Sequence, residues 1–245
     1  MTAQTRTRRT VFYRAVMLAI RIWSLLLWPV RVEGHEHVPD HGGALIVANH
    51  GSLLDIPAVA QAAGPRHTAF VARRSLTASR FMDRLLQGTE AILVEPGTSD
   101  RAALRQIVDE LKAGNLVVIF PEGTRCLDGR LQAFKGGAVL SARMAGVPII
   151  PCGVEGAYDA WPRHRRWPRR RRIHVRFRGP VDPAGADLLS YLEDTVAELA
   201  RIERAGGQAP VGDPSGEQPL SPPAVDGVSS AVKPVHPEVG ELLED

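Results

Sequence analysis

Between residues 42 and 181, short apolar or β-branched runs alternate with helical patterns, and this alternation narrows the fold more than any other feature. The runs fall at residues 44–48, 68–72, 91–94, 116–120, 147–151 and 173–177. Helical patterns lie between several of them, at residues 56–63, 79–86, 99–113 and 136–145. The third is the clearest: Leu104, Ile107, Val108 and Leu111 recur at three- and four-residue spacing, and Gly114 follows as a stop. Strands separated by helices cannot be joined by tight hairpins, so they pair mainly in parallel. The expected architecture is therefore α/β: a single domain with a mixed, largely parallel sheet flanked by helices. A chain of 245 residues has room for one sizeable domain of this kind.

The two ends differ from this middle. Residues 1–32 read as an N-terminal amphipathic segment. Thr5–Thr10 is basic, and the apolar stretch 11–32 is interrupted by Arg14 and Arg21, which share one helical face. Its longest uncharged run, 22–30, is too short for a spanning helix of about 20 apolar residues. No small-residue cleavage site follows closely, so a secretory signal is not expected. Such a helix either lies in a membrane interface or packs on its own domain. Its load of large apolar residues exceeds what a half-buried helix needs and favours the interface. Residues 33–205 form the expected folded domain, closing with a last helix at 188–205. Residues 206–245 are rich in Pro, Gly and Ser, poor in large apolar residues and acidic, which suits a disordered tail. The formal charge of +3 averages two unlike parts. The tail holds one basic and seven acidic residues, a balance of −6, and residues 1–205 hold 29 and 20, a balance of +9. A body this basic expects anionic company.

Two segments carry chemistry. Asn49-His50-Gly51-Ser52-Leu53-Leu54-Asp55 follows the first core run directly, at a strand end where open α/β sheets gather ligands. On a regular helix, residues five apart lie about 140° from one another. His50 and Asp55 therefore meet only if His50 occupies the turn before the helix. A carboxylate beside an imidazole fixes its tautomer and stabilises the imidazolium, the arrangement of a general base. An isolated His-x4-Asp is more often a capped helix start with a satisfied histidine. The second segment, Phe120-Pro121-Glu122-Gly123-Thr124-Arg125, also follows a strand-like run. Gly123 permits close backbone approach, and Arg125 suits bidentate contact with phosphate. Lys135 adds a second cation ten residues on.

Taken together, these segments resemble the glycerolipid acyltransferase family, whose best-known members are the 1-acyl-glycerol-3-phosphate (lysophosphatidic acid) acyltransferases. A third block, Val147-Pro148-Ile149-Ile150-Pro151, is similar to that family's later Val-Pro-Ile-x-Pro element. The resemblance covers residues 33–181. It implies that His50 is the base that deprotonates an acceptor hydroxyl and that Asp55 orients it. The hydroxyl would then attack an acyl thioester, carried by coenzyme A or by acyl carrier protein, with no acyl-enzyme, no cofactor and no metal. It further implies that Glu122, Gly123, Thr124 and Arg125, with Lys135 nearby, bind the glycerol-phosphate part of the acceptor. Pro148 and Pro151 would shape the region of the acyl donor. The family's second block usually places an Arg where Pro96 stands here, and Arg101 is the next arginine. The acceptor therefore stays open between lysophosphatidic acid, glycerol-3-phosphate, another lysophospholipid and a lipid-linked alcohol. A non-catalytic lipid- or nucleic-acid-binding protein with the same fold is opposed by the intact His50 and Asp55.

Nine arginines lie between Arg163 and Arg178, and all four tryptophans (Trp23, Trp28, Trp161, Trp167) fall in this segment or the N-terminal one. Clustered Arg with interfacial Trp suits anionic lipid headgroups. No zinc, helix-turn-helix or RNA-binding motif accompanies the patch, so nucleic acid is not expected. Membrane lipids are the expected partner, through residues 11–30 and Arg163–Arg178, at the cytoplasmic face of the cell membrane in a peripheral or monotopic position. Acyl carrier protein is a further candidate partner. Cys126 and Cys152 form no disulfide framework, and Cys126 is expected to be an inert packed thiol. His35, His37 and His41 read as surface histidines rather than a metal site.

Overall fold

The computed structural model describes residues 11–89, 91–94 and 101–205; the acidic tail 206–245, the basic residues 5–10 and Pro96 lie outside the described residues. Seven strands form one sheet in the order β1-β7-β6-β2-β5-β3-β4. They are β1 (Val30–Glu33), β2 (Ala44–Ala48), β3 (Thr68–Arg73), β4 (Ile92–Val94), β5 (Leu116–Ile119), β6 (Ile149–Glu155) and β7 (Ile173–Phe177). Every pair is parallel except β6 with β7. The helices are α1 (Val11–Leu27), α2 (Asp55–Ala62), α3 (Arg80–Gly88), α4 (Arg101–Lys112), α5 (Gly137–Ala145), α6 (Ala157–Ala160) and α7 (Leu188–Ala200).

The central strands are apolar throughout because both of their faces are covered. All five residues of β2 are buried. Ala44, Ile46 and Ala48 face one layer, where Ala58, Val59 and Ala62 of α2 pack with Trp28 and Trp161 at the margin. Leu45 and Val47 face the other, among Ile107 and Leu111 of α4, Ala138 and Ala142 of α5, and Leu192 and Val196 of α7. Each fully buried Leu or Ile contributes roughly 1.5–3 kcal/mol by leaving water. The period of two along β2 thus assigns its neighbours to opposite layers.

Several elements depart from the sequence reading. The chain from Val30 to Glu33 is a strand beside β7 and no part of the N-terminal helix, because Pro29 cannot continue α1. The third block forms a longer strand that starts later, at Ile149. Its Pro151 offers a carbonyl to Arg178 N–H (3.0 Å) but no N–H of its own, and the β6–β7 register begins only at Cys152. The last helix stops at Ala200 rather than 205. Arg201 takes φ 55°, and Ile202 N–H turns back to the Ala197 carbonyl at 3.0 Å. Residues 203–205 then run back along Leu131.

The N-terminal helix α1 is amphipathic in an unusual sense. It buries Ser24, yet leaves Leu18, Ile22, Trp23, Leu25 and Leu26 each more than half exposed. No helix among the described residues is long and apolar enough to cross a membrane.

Candidate active site

The C-terminal ends of β2, β5 and β3 lie side by side, and the loops leaving them build the site. After Ala48 the chain leaves β2 through Asn49. Its buried side chain continues the pairing with β6: the amide donates to the Val154 carbonyl (2.9 Å) and accepts from Val154 N–H (2.7 Å). His50 therefore enters the turn in a fixed orientation, ahead of α2, which begins at Asp55.

Within that turn Asp55 is almost wholly buried. Its Oδ2 accepts from His50 Nδ1 (3.0 Å), Gly51 N–H (2.8 Å) and Ser52 N–H (2.7 Å). The two backbone donors lock the carboxylate, and the carboxylate locks the ring. Because a carboxylate only accepts, the proton of a neutral His50 ring sits on Nδ1 and Nε2 keeps its lone pair. The ring also stacks on Phe120 at the end of β5, with centroids 4.3 Å apart and planes 19° from parallel. Its side chain keeps 15% of its surface exposed. This geometry suits an imidazole that takes up a proton at Nε2.

The loop after β5 is tied to the same turn. Glu122 accepts His50 N–H on Oε1 (2.6 Å) and Gln132 N–H on Oε2 (2.9 Å). Cys126 N–H donates to the His50 carbonyl at 2.9 Å. Burial pushes the Glu122 carboxyl up to about 7, against the pull of its two backbone donors. The sequence reading assigned Glu122 to the substrate. Each of its oxygens holds a backbone N–H, the side chain is buried, and the residue lines the cavity beside His50. Its place is that of a brace between the two segments. Burial raises the Cys126 thiol to about 11, so the thiol stays protonated and fits the packed, inert role.

Beyond Glu122 the loop is cationic. Gly123 adopts φ 70°, and the Lys135 ammonium lies against it: a side chain at this position would come 2.8 Å from Nζ. Arg73, the last residue of β3, donates to the Gly123 carbonyl. Sequence reasoning missed Arg73, although its place at the end of a strand-like run in a parallel sheet was the available signal. Thr124 is exposed beside Arg125, which is half-buried. Burial lowers the Arg125 pKa and the neighbouring Arg163 charge lowers it further, with Asp55 opposing. Arg73, Lys135 and Arg125 thus gather around one loop, where an anionic group would be held by charge-assisted hydrogen bonds.

Pro148 and Pro151 are not brought to this site. The Pro148 carbonyl accepts Leu45 N–H (3.0 Å) at the start of β2. That is five residues before His50, about 16 Å back along the strand at ~3.3 Å per residue. Pro151 is buried in β6 beside Val47. A cavity of ≈ 340 Å³ opens beside His50 and Asp55, between the loop 128–130, the end of β6, Tyr158 and the turn 200–202. Among the described residues no group of His, Cys, Asp and Glu is arranged to hold a metal ion. His35 binds the Ala62 carbonyl through Nδ1 at 2.9 Å.

The arginine segment divides. Arg176 is buried in β7 between Glu33 (3.2 Å) and Glu155 (2.7 Å), and Arg178 pairs with Glu198 (2.6 Å). These two serve the fold, which corrects the expectation that the whole segment meets lipid. Trp28 and Trp161 pack on the core, whereas Trp23 and Trp167 are 58% and 71% exposed.

Comparison with known proteins places this fold in a family. The family model described as Acyltransferase matches residues 29–155. A 1-acyl-sn-glycerol-3-phosphate acyltransferase of Limnanthes douglasii is 29% identical over 168 residues, covering 66% of this chain and 59% of that protein. One from Bacillus subtilis (strain 168) is 25% identical over 144 residues, covering 59% and 71%. The chain thus spans little more than half of the plant relative's length. Among solved structures, the 1-acyl-sn-glycerophosphate (LPA) acyltransferase PlsC from Thermotoga maritima superposes with TM-score 0.65 at 28% identity, covering 81% of this chain and 82% of that one. With over half its length matched by the family model, and both motif segments meeting at one turn, the chain belongs to the acyltransferase family.

Proposed function

We propose that this protein moves a fatty acyl group from an acyl thioester to the free hydroxyl of lysophosphatidic acid, producing phosphatidic acid. The observation that carries this reading is the His50–Asp55 pair (3.0 Å) standing beside a loop that gathers Arg125, Lys135 and Arg73. The names of the relatives support the same acceptor.

His50 Nε2 takes the proton of the acceptor hydroxyl as its oxygen attacks the thioester carbonyl. Asp55 stabilises the resulting imidazolium through Nδ1. The tetrahedral adduct collapses, the C–S bond breaks, and the departing thiolate recovers the proton from Nε2. A thioester is already activated, so base catalysis and positioning suffice. The donor is acyl-CoA or acyl carrier protein. Arg125, Lys135 and Arg73 hold the phosphate of the acceptor, with Gly123 and Thr124 lining its approach.

The protein meets the membrane through the exposed face of α1. The buried Ser24 and the outward Leu18, Ile22, Trp23, Leu25 and Leu26 favour a helix lying in an anionic bilayer surface. The arginine segment continues that surface: Arg171 N–H donates to the Leu27 carbonyl at 3.3 Å, and Trp167 and Arg166 stand exposed beyond it. The location that follows is peripheral or monotopic, at the cytoplasmic face.

An assay across lysophosphatidic acid, glycerol-3-phosphate and headgroup-bearing lysophospholipids, with acyl-CoA and acyl carrier protein donors, tests the reading. Lysophosphatidic acid should give the highest kcat/KM, and His50→Ala should lower transfer by about 10²–10⁴-fold. A preference for another acceptor would replace the substrate assignment.

A further inference from the structure

Arg163 belongs to the arginine segment by sequence, but one hydrogen bond ties its loop to the active-site turn, and a second ties the loop of Arg125 to the same turn. The Ser52 hydroxyl, fully buried two residues after His50, donates to the Trp161 carbonyl at 2.8 Å. On the other side, Cys126 N–H donates to the His50 carbonyl at 2.9 Å. Arg163 therefore stands two residues from one attachment to the turn 50–52, and Arg125 stands one residue from another. The loop bearing Arg163 is itself closed. Trp161 Nε1 donates to the Arg165 carbonyl (3.0 Å), Arg165 N–H to the Pro162 carbonyl (3.1 Å) and Arg169 N–H to the Ala160 carbonyl (2.7 Å). The charge of Arg163 is felt at Arg125, whose pKa it lowers after the effect of burial.

Among the described residues, neither guanidinium has a carboxylate within ion-pair distance. Elsewhere on this chain Arg176, Arg178 and Arg204 all have one. Two unneutralised cations held near each other by separate backbone attachments repel, and a bound anion of charge −2 relieves that repulsion better than one of −1. A phosphate monoester carries about −1.5 to −2 at neutral pH, and a phosphodiester only about −1.

We infer that Arg163 and Arg125 together clamp the phosphate monoester of the acceptor, and that Arg163 makes the enzyme prefer a terminal phosphate over a headgroup-bearing phosphodiester. This rests on the reading of the protein as a lysolipid acyltransferase. Coenzyme A also carries a phosphate monoester, so the donor is the competing source of the same chemistry.

The experiment uses the full chain, Arg163→Gln, Arg163→Lys and the exposed α4 control Arg105→Gln. KM is measured for lysophosphatidic acid, for lysophosphatidylcholine and for acyl-CoA. Arg163→Gln should raise KM for lysophosphatidic acid about tenfold or more and leave the other two within about twofold. Arg163→Lys should recover part of the loss, and Arg105→Gln should match the wild type. A rise in KM for acyl-CoA alone, or equal rises for both lysolipids, would overturn the proposal. Calorimetric titration with glycerol-3-phosphate and glycerophosphocholine separates this inference from the one beneath it. If the wild type acylates no lysolipid, the proposed function fails. The Arg163 assignment still stands or falls on whether Arg163→Gln weakens glycerol-3-phosphate binding selectively.

Discussion

His50 and Glu122 lie 72 residues apart in the chain and share one hydrogen bond, His50 N–H donating to Glu122 Oε1 at 2.6 Å. The residue at the centre of the first motif is thus braced by the first charged residue of the second. The brace titrates. Burial holds the Glu122 carboxyl near 7, above its ordinary value of 4.5. Between those two values the folded protein keeps a proton that the unfolded chain has released. The contribution of Glu122 therefore favours folding at low pH and declines as pH rises through about 4.5 to 7, by on the order of 3 kcal/mol in all. Glu122→Gln cannot titrate, so the melting temperature of the wild type should fall relative to the variant across that window. A constant difference from pH 4.5 to 8 would show that the side chain is not held as described.

The two partners of the proposed catalytic pair should fail differently. His50→Ala removes a part-exposed ring that anchors no buried backbone group through its side chain. Activity should drop by about 10²–10⁴-fold with the fold retained by circular dichroism. Asp55→Ala additionally strips Gly51 N–H and Ser52 N–H of their acceptor. Each orphaned donor costs about 1–3 kcal/mol, so this variant should lose stability as well as rate. Equal denaturation midpoints for the two variants would contradict the anchoring role of Asp55.

Asn49→Ala should destabilise the protein by roughly 2–4 kcal/mol, because Val154 then loses both a donor and an acceptor inside the sheet. Asn49→Asp should also be destabilising, since a carboxylate cannot donate to the Val154 carbonyl. Urea unfolding of both variants checks this. A loss under about 0.5 kcal/mol in Asn49→Ala would mean that the clamp adds little to the β2–β6 join.

Vesicle binding should depend on the outer face of α1. Replacing Trp23 and Leu26 together by Ser should weaken sedimentation with anionic liposomes several-fold, while the melting temperature changes little, because both side chains are exposed. Raising the salt concentration should weaken the remaining binding if the arginine segment contributes. Unchanged sedimentation would remove α1 from the membrane contact.

Local pattern made much of the sheet legible. The runs at β2 and β5 are apolar because they are covered on both sides, and that cause acts along the whole length of a strand. His50 before a helix and Asp55 at its start could likewise be read together, since the turn that joins them spans only five residues. What stayed hidden depends on partners far away in the chain. β1 has three exposed residues of four and exists through its pairing with β7. Gly153 is a glycine because a side chain there would come 2.4 Å from the backbone of Leu199 and Ala200, a clash visible only once α7 lies on β6.

The sequence by itself determined the alternating elements, the layers they bury and the chemical types present in the two motifs. These follow from periodicity and side-chain chemistry, which are local. The tertiary structure alone decided which charges work together. It turned Glu122 inward as a brace, paired Arg176 and Arg178 with carboxylates, carried Arg73 to the loop of Arg125, and tied the Trp161 carbonyl, two residues before Arg163, to Ser52. An arginine reads the same in sequence whether it faces solvent, a carboxylate or a substrate. Only distance and burial distinguish these cases, because electrostatic energy depends on separation and on the medium between the charges.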